Sequence, residues 1–229
     1  MQLLQHTPLY RPYHKQNARL VAFAGWEMPV QFDGIRAEHE AVRQCAGLFD
    51  ISHMAMIQLQ GPELLATLQT LVPTDLSTLK PGRAQYTVLL TKTAGIIDDV
   101  IFYRQDDLQS AQQIMVIANA ATTAKDIAWL QQHLTPAQHL DHLSDRALLA
   151  LQGPQAEAML QPLTDYSLAD LGRFQHSEIV LQGQPAFIAR TGYTGEDGFE
   201  IMVPSEAAAP LWRSLLDAGV APCGLGARD

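Results

Sequence analysis

The sequence is poor in cysteine, in positive charge and in long apolar runs, and each scarcity removes a class of protein. Its two cysteines, Cys45 and Cys223, stand apart, with no C-x-x-C and no histidine at finger spacing. Neither a disulfide framework nor a structural zinc site is expected, and a reducing cytoplasm suits that usage. Lys and Arg number 15 against 24 Asp and Glu, a formal net charge of −9, and no basic run gathers the cations on one face. A phosphate backbone would be repelled, so nucleic acid is not an expected partner. No segment approaches about 18 uninterrupted apolar residues. Met1 to His6 carries no basic patch ahead of an apolar stretch, so neither a membrane span nor a secretory leader is expected.

What is present is ample apolar material. At 229 residues and 47% hydrophobic, the chain can build a core without disulfides or metals, as one large domain or two small ones.

The chain also repeats itself. Leu-Gln-Gly-Pro occurs at Leu59 to Pro62 and again 92 residues later at Leu151 to Pro154. Each copy follows an apolar run (Met54 to Leu59; Ala147 to Leu151) and precedes a helical pattern, Leu64, Leu65, Leu68 and Leu71 or Ala156, Met159 and Leu160. Both read as strand, Gly-Pro corner and helix, with the proline in the first helical turn. A four-residue match alone is open to coincidence; the matching flanks argue for a repeat. Further strands are predicted at Tyr86 to Leu90, Ile96 to Tyr103, Ile114 to Ala118, Ile179 to Leu181, Ala186 to Ala189 and Phe199 to Val203. Helices are predicted at Ile35 to Gln44, Thr122 to His133 and Ala207 to Leu216, the last with Ser205 as N-cap and Gly219 as stop. The fold class is α+β: an N-terminal segment and helix (1–50) belonging to a shared core, then two β-α-β-containing units (51–140 and 141–229) facing each other across a cleft.

Two segments carry candidate chemistry. Asp98 and Asp99 lie side by side in the apolar run Ile96 to Tyr103, so strand alternation gives them different environments. A carboxylate among apolar groups must be paired, hydrogen-bonded or raised in pKa, which makes it a candidate acid, base or cation anchor. The alternative is a turn in which the pair caps backbone N–H groups. Thr191 to Glu200 reads as a tight glycine loop entering a strand, with Tyr193 able to stack on a flat ligand and Glu200 able to accept two hydrogen bonds from an amidine-like edge. A bare hairpin loop would need neither. Phe23 to Phe32, aromatic but broken by Gly and Pro, is too irregular for a helix or plain strand and is expected to fill core. Ser52 and His53, read as strand neighbours that point apart, lack a G-x-S-x-G elbow and make no hydrolase. His39-Glu40 lacks a second histidine four residues on, and Gly224-Leu225-Gly226 lacks the rest of a dinucleotide fingerprint, so no metal is expected.

Taken together, Thr7 to Tyr10, Phe23 to Trp26, Gly47 to Met54, Gly95 to Asp99, Leu149 to Pro154 and Gly192 to Gly198 resemble the aminomethyltransferase (T-protein) family of the glycine cleavage system. That resemblance implies a three-domain cloverleaf around tetrahydrofolate, the co-substrate, with an aminomethyl group delivered by the lipoyl arm of a carrier protein (H-protein). By position, Asp99 resembles the catalytic carboxylate near the reacting nitrogens. Glu200 resembles the group gripping the pterin edge, Tyr193 and Tyr86 the ring-stacking residues, and Met54 and Asn119 pocket-lining residues. Arg228, in Gly224 to Asp229, resembles a folate-contacting arginine. Family members continue past this point, so the resemblance leaves the third, C-terminal barrel domain absent, Arg228 on a fraying end, and folate binding and turnover weak. Two relatives of different role are weighed beside it. One is a non-catalytic folate binder of iron–sulfur protein maturation, whose Lys-Gly-Cys-x-Gly-Gln-Glu segment is not found. The other is the folate-binding module of a flavin-linked demethylating dehydrogenase, whose N-terminal flavin domain is not found.

Overall fold

In the computed structural model, which describes residues 3–105 and 112–228, the chain is α+β, with thirteen strands in three sheets among the described residues. Met1 and Gln2 of the N-terminal stretch and Asp229 of the arginine motif lie outside them. Helix α1 (Tyr10–Lys15) precedes the hairpin of β1 (Arg19–Phe23) and β2 (Trp26–Gln31), then α2 (Ile35–Gln44) and β3 (Gly47–Asp50). There follow β4 (Ala55–Gly61), α3 (Leu64–Gln69), β5 (Arg83–Leu90), β6 (Ile96–Gln105), β7 (Gln112–Ala118), α4 (Thr123–His133) and β8 (His139–His142). The remainder is β9 (Arg146–Gln152), α5 (Ala156–Leu160), β10 (His176–Leu181), β11 (Gln184–Ala189), β12 (Gly198–Pro204), α6 (Ser205–Asp217) and β13 (Ala221–Cys223). No helix among the described residues is long and apolar enough to cross a membrane.

Two compact units result: Met54–Ser144, continuous in sequence, and a two-segment unit of Met1–His53 with Asp145–Asp229. In the continuous unit the antiparallel sheet runs β5-β6-β7-β4-β8, with Ile57, Leu59, Phe102, Ile114 and Val116 meeting Leu64, Leu68 and Leu130 from its helices. In the two-segment unit the order is β10-β11-β12-β9-β3-β13, antiparallel except that β13 lies parallel to β3. Leu149, Leu151, Ile188, Phe199 and Ile201 pack there on Leu211, Trp212 and Leu215 of α6.

The repeat extends well beyond its tetrapeptide. The run β5-β6-β7-β4 in one unit has the same order as β10-β11-β12-β9 in the other. Gly61 and Gly153, 92 residues apart, both take positive φ (+148° and +135°), and a Cβ there would come within 2.8 Å of Gln138 and 2.5 Å of the Cys45 carbonyl oxygen. At the same offset, Gln69 donates to the Val72 and Thr74 carbonyls and accepts from the Leu76 N–H. Gln161 does the same with Thr164, Tyr166 and Leu168. Each glutamine closes the irregular stretch after its helix, where backbone groups have no ladder to join.

Four local expectations are corrected. Pro62 and Pro154 precede the helix N-caps, Glu63 and Gln155, because the glycine corner uses up the residues that would otherwise begin the helix. The stretch from Phe23 is half of a regular hairpin: Ala24 and Gly25 both take positive φ (+49° and +85°), the two-residue geometry that matches strand twist. Phe23 stays 45% exposed while Met28 is buried. Ser205 opens α6 as its first residue, and Pro204 takes the cap position without a side-chain bond. Ser52 and His53 occupy the turn after β3, where the Ser52 hydroxyl is tied to both backbone groups of Leu148.

Candidate functional site

The residues predicted for the site fall into two groups, one in each unit. In the continuous unit, Asp98 and Asp99 alternate as strand geometry requires: Asp98 is 7% exposed and Asp99 is open to solvent. Asn119, the first residue past β7, joins them. Its backbone N–H donates to Asp98 Oδ2 (3.0 Å), and its side-chain Nδ2 donates to Asp98 Oδ1 (3.0 Å) and Asp99 Oδ1 (3.0 Å). Tyr86, across the sheet on β5, donates its hydroxyl to Asp99 Oδ2 at 3.2 Å. Thr122 and Thr123 hold Asn119 in turn, both hydroxyls donating to its carbonyl. Met54 is half-buried in the bend opening β4, one residue beyond the Ala55–Ala118 pair, at the position that the register sets opposite Asn119.

The electrostatics of this group are set by burial against hydrogen bonding. Burial would raise the pKa of Asp98, but donation from the Asn119 side chain and backbone N–H outweighs it and the carboxyl lies below its ordinary value. Asp126, in the first turns of α4, is pushed up to about 7, by burial first and by the neighbouring Asp98 carboxylate. Asp126, a lone acid in a helix of mixed polarity, carries no signal of its own in the sequence. Lys125 beside it donates to the Ile97 carbonyl at 2.5 Å, clamping the strand that carries the two acids.

In the two-segment unit, Glu200 lies on β12, buried, and accepts from the Thr191 hydroxyl at 2.7 Å. Gln152, from the second Leu-Gln-Gly-Pro copy, organises the glycine loop. Its Nε2 donates to the Thr191 carbonyl (3.0 Å) and its Oε1 accepts from the Thr194 hydroxyl (2.9 Å). Its amide fills the space a Cβ at Gly192 would need, 1.9 Å away, so glycine is obligatory there. Arg43 pairs with Glu196, and Arg190 forks onto Asp197, fixing the loop's acidic tip. The result is an exposed Tyr193 ring, 71% accessible, with the Arg228 guanidinium 5.2 Å from its centroid.

Arg228 is held in regular backbone. It follows a 3₁₀ turn (Leu225–Ala227), its N–H donates to the Leu225 carbonyl, and it is half-buried. The Glu38 carboxylate anchors that turn by accepting from the Gly224 N–H at 2.8 Å. His53 faces the same surroundings. Burial pushes it down to about 4 against the pull of Asp50, with the Arg228 charge adding to the depression, so it is neutral at pH 7. Asp50 itself accepts from the buried Tyr13 hydroxyl. Among the described residues no cluster of three or more His, Cys, Asp or Glu is arranged to hold a metal.

The model of the GCVT N-terminal domain matches residues 9–229. An aminomethyltransferase of Nostoc sp. is 56% identical over 229 residues, covering 99% of this chain and 61% of that protein, and one of Synechococcus elongatus is 56% identical over 227 residues. The crystal structure of glycine cleavage system aminomethyltransferase T from Bartonella henselae superposes with a TM-score of 0.90 at 41% identity, over 99% of this chain and 61% of that one. A chain of a heterotetrameric sarcosine oxidase from Corynebacterium shares the fold at 17% identity and a TM-score of 0.58, covering 93% of this chain and 94% of that one. The chain thus spans about three fifths of the length of the aminomethyltransferases it matches.

Proposed function

The chain belongs to the GCVT N-terminal domain family, and from that premise we propose that it works in the cytoplasm as the tetrahydrofolate-binding portion of a glycine-cleavage aminomethyltransferase, served by a lipoylated carrier protein. The substrates bring a methylene transfer. The lipoyl sulfur–carbon bond and the carbon–amine bond break, two bonds form from that carbon to folate nitrogens, and the two displaced N–H protons leave on the thiol and on ammonia. Such a transfer develops positive charge on carbon and nitrogen, so a fixed carboxylate helps it more than a covalent nucleophile would.

Asp99 is the residue assigned to that task. The single observation carrying the reading is that its two oxygens accept from separate donors, Asn119 Nδ2 and the Tyr86 hydroxyl, while the carboxylate stays open to solvent. Its orientation is therefore set before a substrate arrives, which is what electrostatic stabilisation requires. Glu200 and Arg228 bind, and the exposed Tyr193 face stacks on a flat ring; Met54 lines the pocket beside Asn119.

Tetrahydrofolate titrated calorimetrically into the chain is expected to give saturable binding that Glu200→Gln weakens about tenfold; no saturable heat would overturn the reading. With aminomethyl-loaded carrier protein, Asp99→Asn is expected to lower ammonia release about 100-fold or more while changing folate affinity little. Unaltered release would remove Asp99 from the role.

A further inference from the structure

Asp126 has no role in the transfer, yet it is the most buried of the described acids in the continuous unit. It is 0% exposed, and neither of its oxygens meets a hydrogen-bond donor at ordinary geometry among the described residues. A buried carboxylate left in that condition would be prohibitively costly. The groups acting on it are few: the Thr122 hydroxyl, the Lys125 ammonium from its own helix, and the Asp98 carboxylate from β6. Thr122 gives its hydrogen to the Asn119 carbonyl (3.1 Å) and Lys125 gives one to the Ile97 carbonyl (2.5 Å). Asp98 has no hydrogen to give, since both its oxygens are already acceptors for Asn119. Asp126 and Asp98 therefore act on each other as two carboxyls while the nearby Lys125 donates to a carbonyl, and one proton shared between them satisfies the arrangement.

We propose that Asp126 is a positioning residue: a neutral carboxylic acid that donates its proton to the Asp98 carboxylate and, through Asp98, holds the Asn119 amide against Asp99. The chain of donors runs in one direction, from the Asp126 O–H to Asp98, and from the Asn119 side-chain N–H groups to both Asp98 and Asp99. No bond is made or broken. When Asp126 ionises, Asp98 gains a like charge behind it and the partition of the Asn119 amide between the two aspartates changes. The raised pKa of Asp126, about 7, puts that change within the physiological range. That the device serves transfer rests on the role given to Asp99 above; the hydrogen-bond relay itself does not.

The test reads Asn119 directly. In the ¹⁵N-labelled chain, the side-chain amide signals of Asn119 are expected to shift along one titration between pH 5 and pH 9. Asp126→Asn supplies a donated N–H at every pH and should hold those signals at their low-pH position throughout. Asp126→Leu, with no hydrogen to give, should displace them from that position even at pH 5. Wild-type signals that do not move, or Asp126→Asn signals that titrate like wild type, would overturn the proposal; if the leucine variant does not fold, these two samples alone decide it. Tetrahydrofolate calorimetry on the same samples keeps the two readings apart. Folate binding with an Asn119 amide indifferent to Asp126 refutes the relay alone, and an amide that follows Asp126 without folate binding refutes the function alone.

Discussion

Replacing Glu38 with glutamine would test how the turn bearing Arg228 is held. The Glu38 side chain is 2% exposed, and its carboxylate accepts three backbone N–H groups from two stretches far apart in sequence: Phe32 (2.6 Å) and Gly34 (3.0 Å) on Oε1, and Gly224 (2.8 Å) on Oε2. Glutamine keeps one acceptor for Phe32 and Gly34 but turns an NH₂ group onto the Gly224 N–H, so a donor faces a donor. Gly224 has nowhere to retreat, because its α-carbon abuts the β2 backbone so closely that a Cβ would lie 2.3 Å from the Val30 carbonyl carbon. Losing one charge-assisted bond and leaving a buried donor unmet costs about 2–3 kcal/mol. For a protein of this size that lowers Tm by about 4–12 °C. Urea unfolding followed through Trp26 and Trp212, both in the two-segment unit, is the assay. Arg36→Gln, which breaks only the exposed Arg36–Glu40 pair, serves as control and should change the unfolding free energy by less than about 0.5 kcal/mol. A Glu38→Gln midpoint equal to that of the control would refute the reasoning, since it would mean water already satisfies Gly224.

Gly192→Ala should drive the Gln152 amide from its place and cost about 1–3 kcal/mol, with tetrahydrofolate affinity falling as the Tyr193 loop loses its ties to Thr191 and Thr194; an unchanged Tm would show that Gln152 yields freely. The two units should respond to pH with opposite signs. Asp126 has a folded pKa near 7, above its unfolded value, so the unfolded chain holds fewer protons between about pH 4 and 7 and the continuous unit loses stability as pH rises through that window. His53 is depressed to about 4, so the two-segment unit loses stability as pH falls from about 6.5 toward 4. Urea midpoints at pH 4.5 and 7.5, in variants keeping Trp129 alone or Trp212 alone, check this, and parallel movement of both would contradict it.

Much of the framework is legible because period and punctuation are local. The helix Ile35 to Gln44 is marked by its apolar spacing, and the strands at Ile114 to Ala118 and Phe199 to Val203 by β-branched and aromatic runs. The tetrapeptide repeat signals the duplication, but the more telling correspondence is hidden. Arg104 and Arg190 each reach back to a leucine carbonyl, Leu79 and Leu171, and those carbonyls keep the 92-residue offset while the arginines stand only 86 apart. The hairpin between them differs in length, so comparison at any single period misses the pair. The β1–β2 hairpin was hidden for another reason: Ala24 in a left-handed conformation is a poor turn signal, and Pro29 argues against a strand unless that strand has a free edge. Asp126 could not be read at all, since a helical acid gains meaning only when the fold sets a second carboxyl against it.

The duplication also bears on why the acids stand where they do. Counting back from the matched arginines, Asp98 and Asp99 on β6 correspond to Gln184 and Pro185 on β11. Strand registers run the same comparison for the other unit: Glu200 lies opposite Ala189, one residue before Arg190, and Tyr103, one residue before Arg104, lies opposite Met115. Neither carboxylate group is repeated. What the units share is the machinery that closes irregular backbone, namely the corner glycines, the paired glutamines and the arginine that caps a leucine carbonyl. What they do not share are the groups open to a ligand. Once a scaffold satisfies its own backbone groups at both copies, a buried carboxylate can be added to one copy at a cost borne locally, by Asn119 in one unit and Thr191 in the other. Gln69→Leu and Gln161→Leu should each lower the stability of its own unit by a similar amount, about 2–3 kcal/mol, because each leaves equivalent backbone groups unmet. Asn119→Leu should instead strand two aspartates and raise the pKa of Asp98, a loss with no counterpart at the matching position of the second copy.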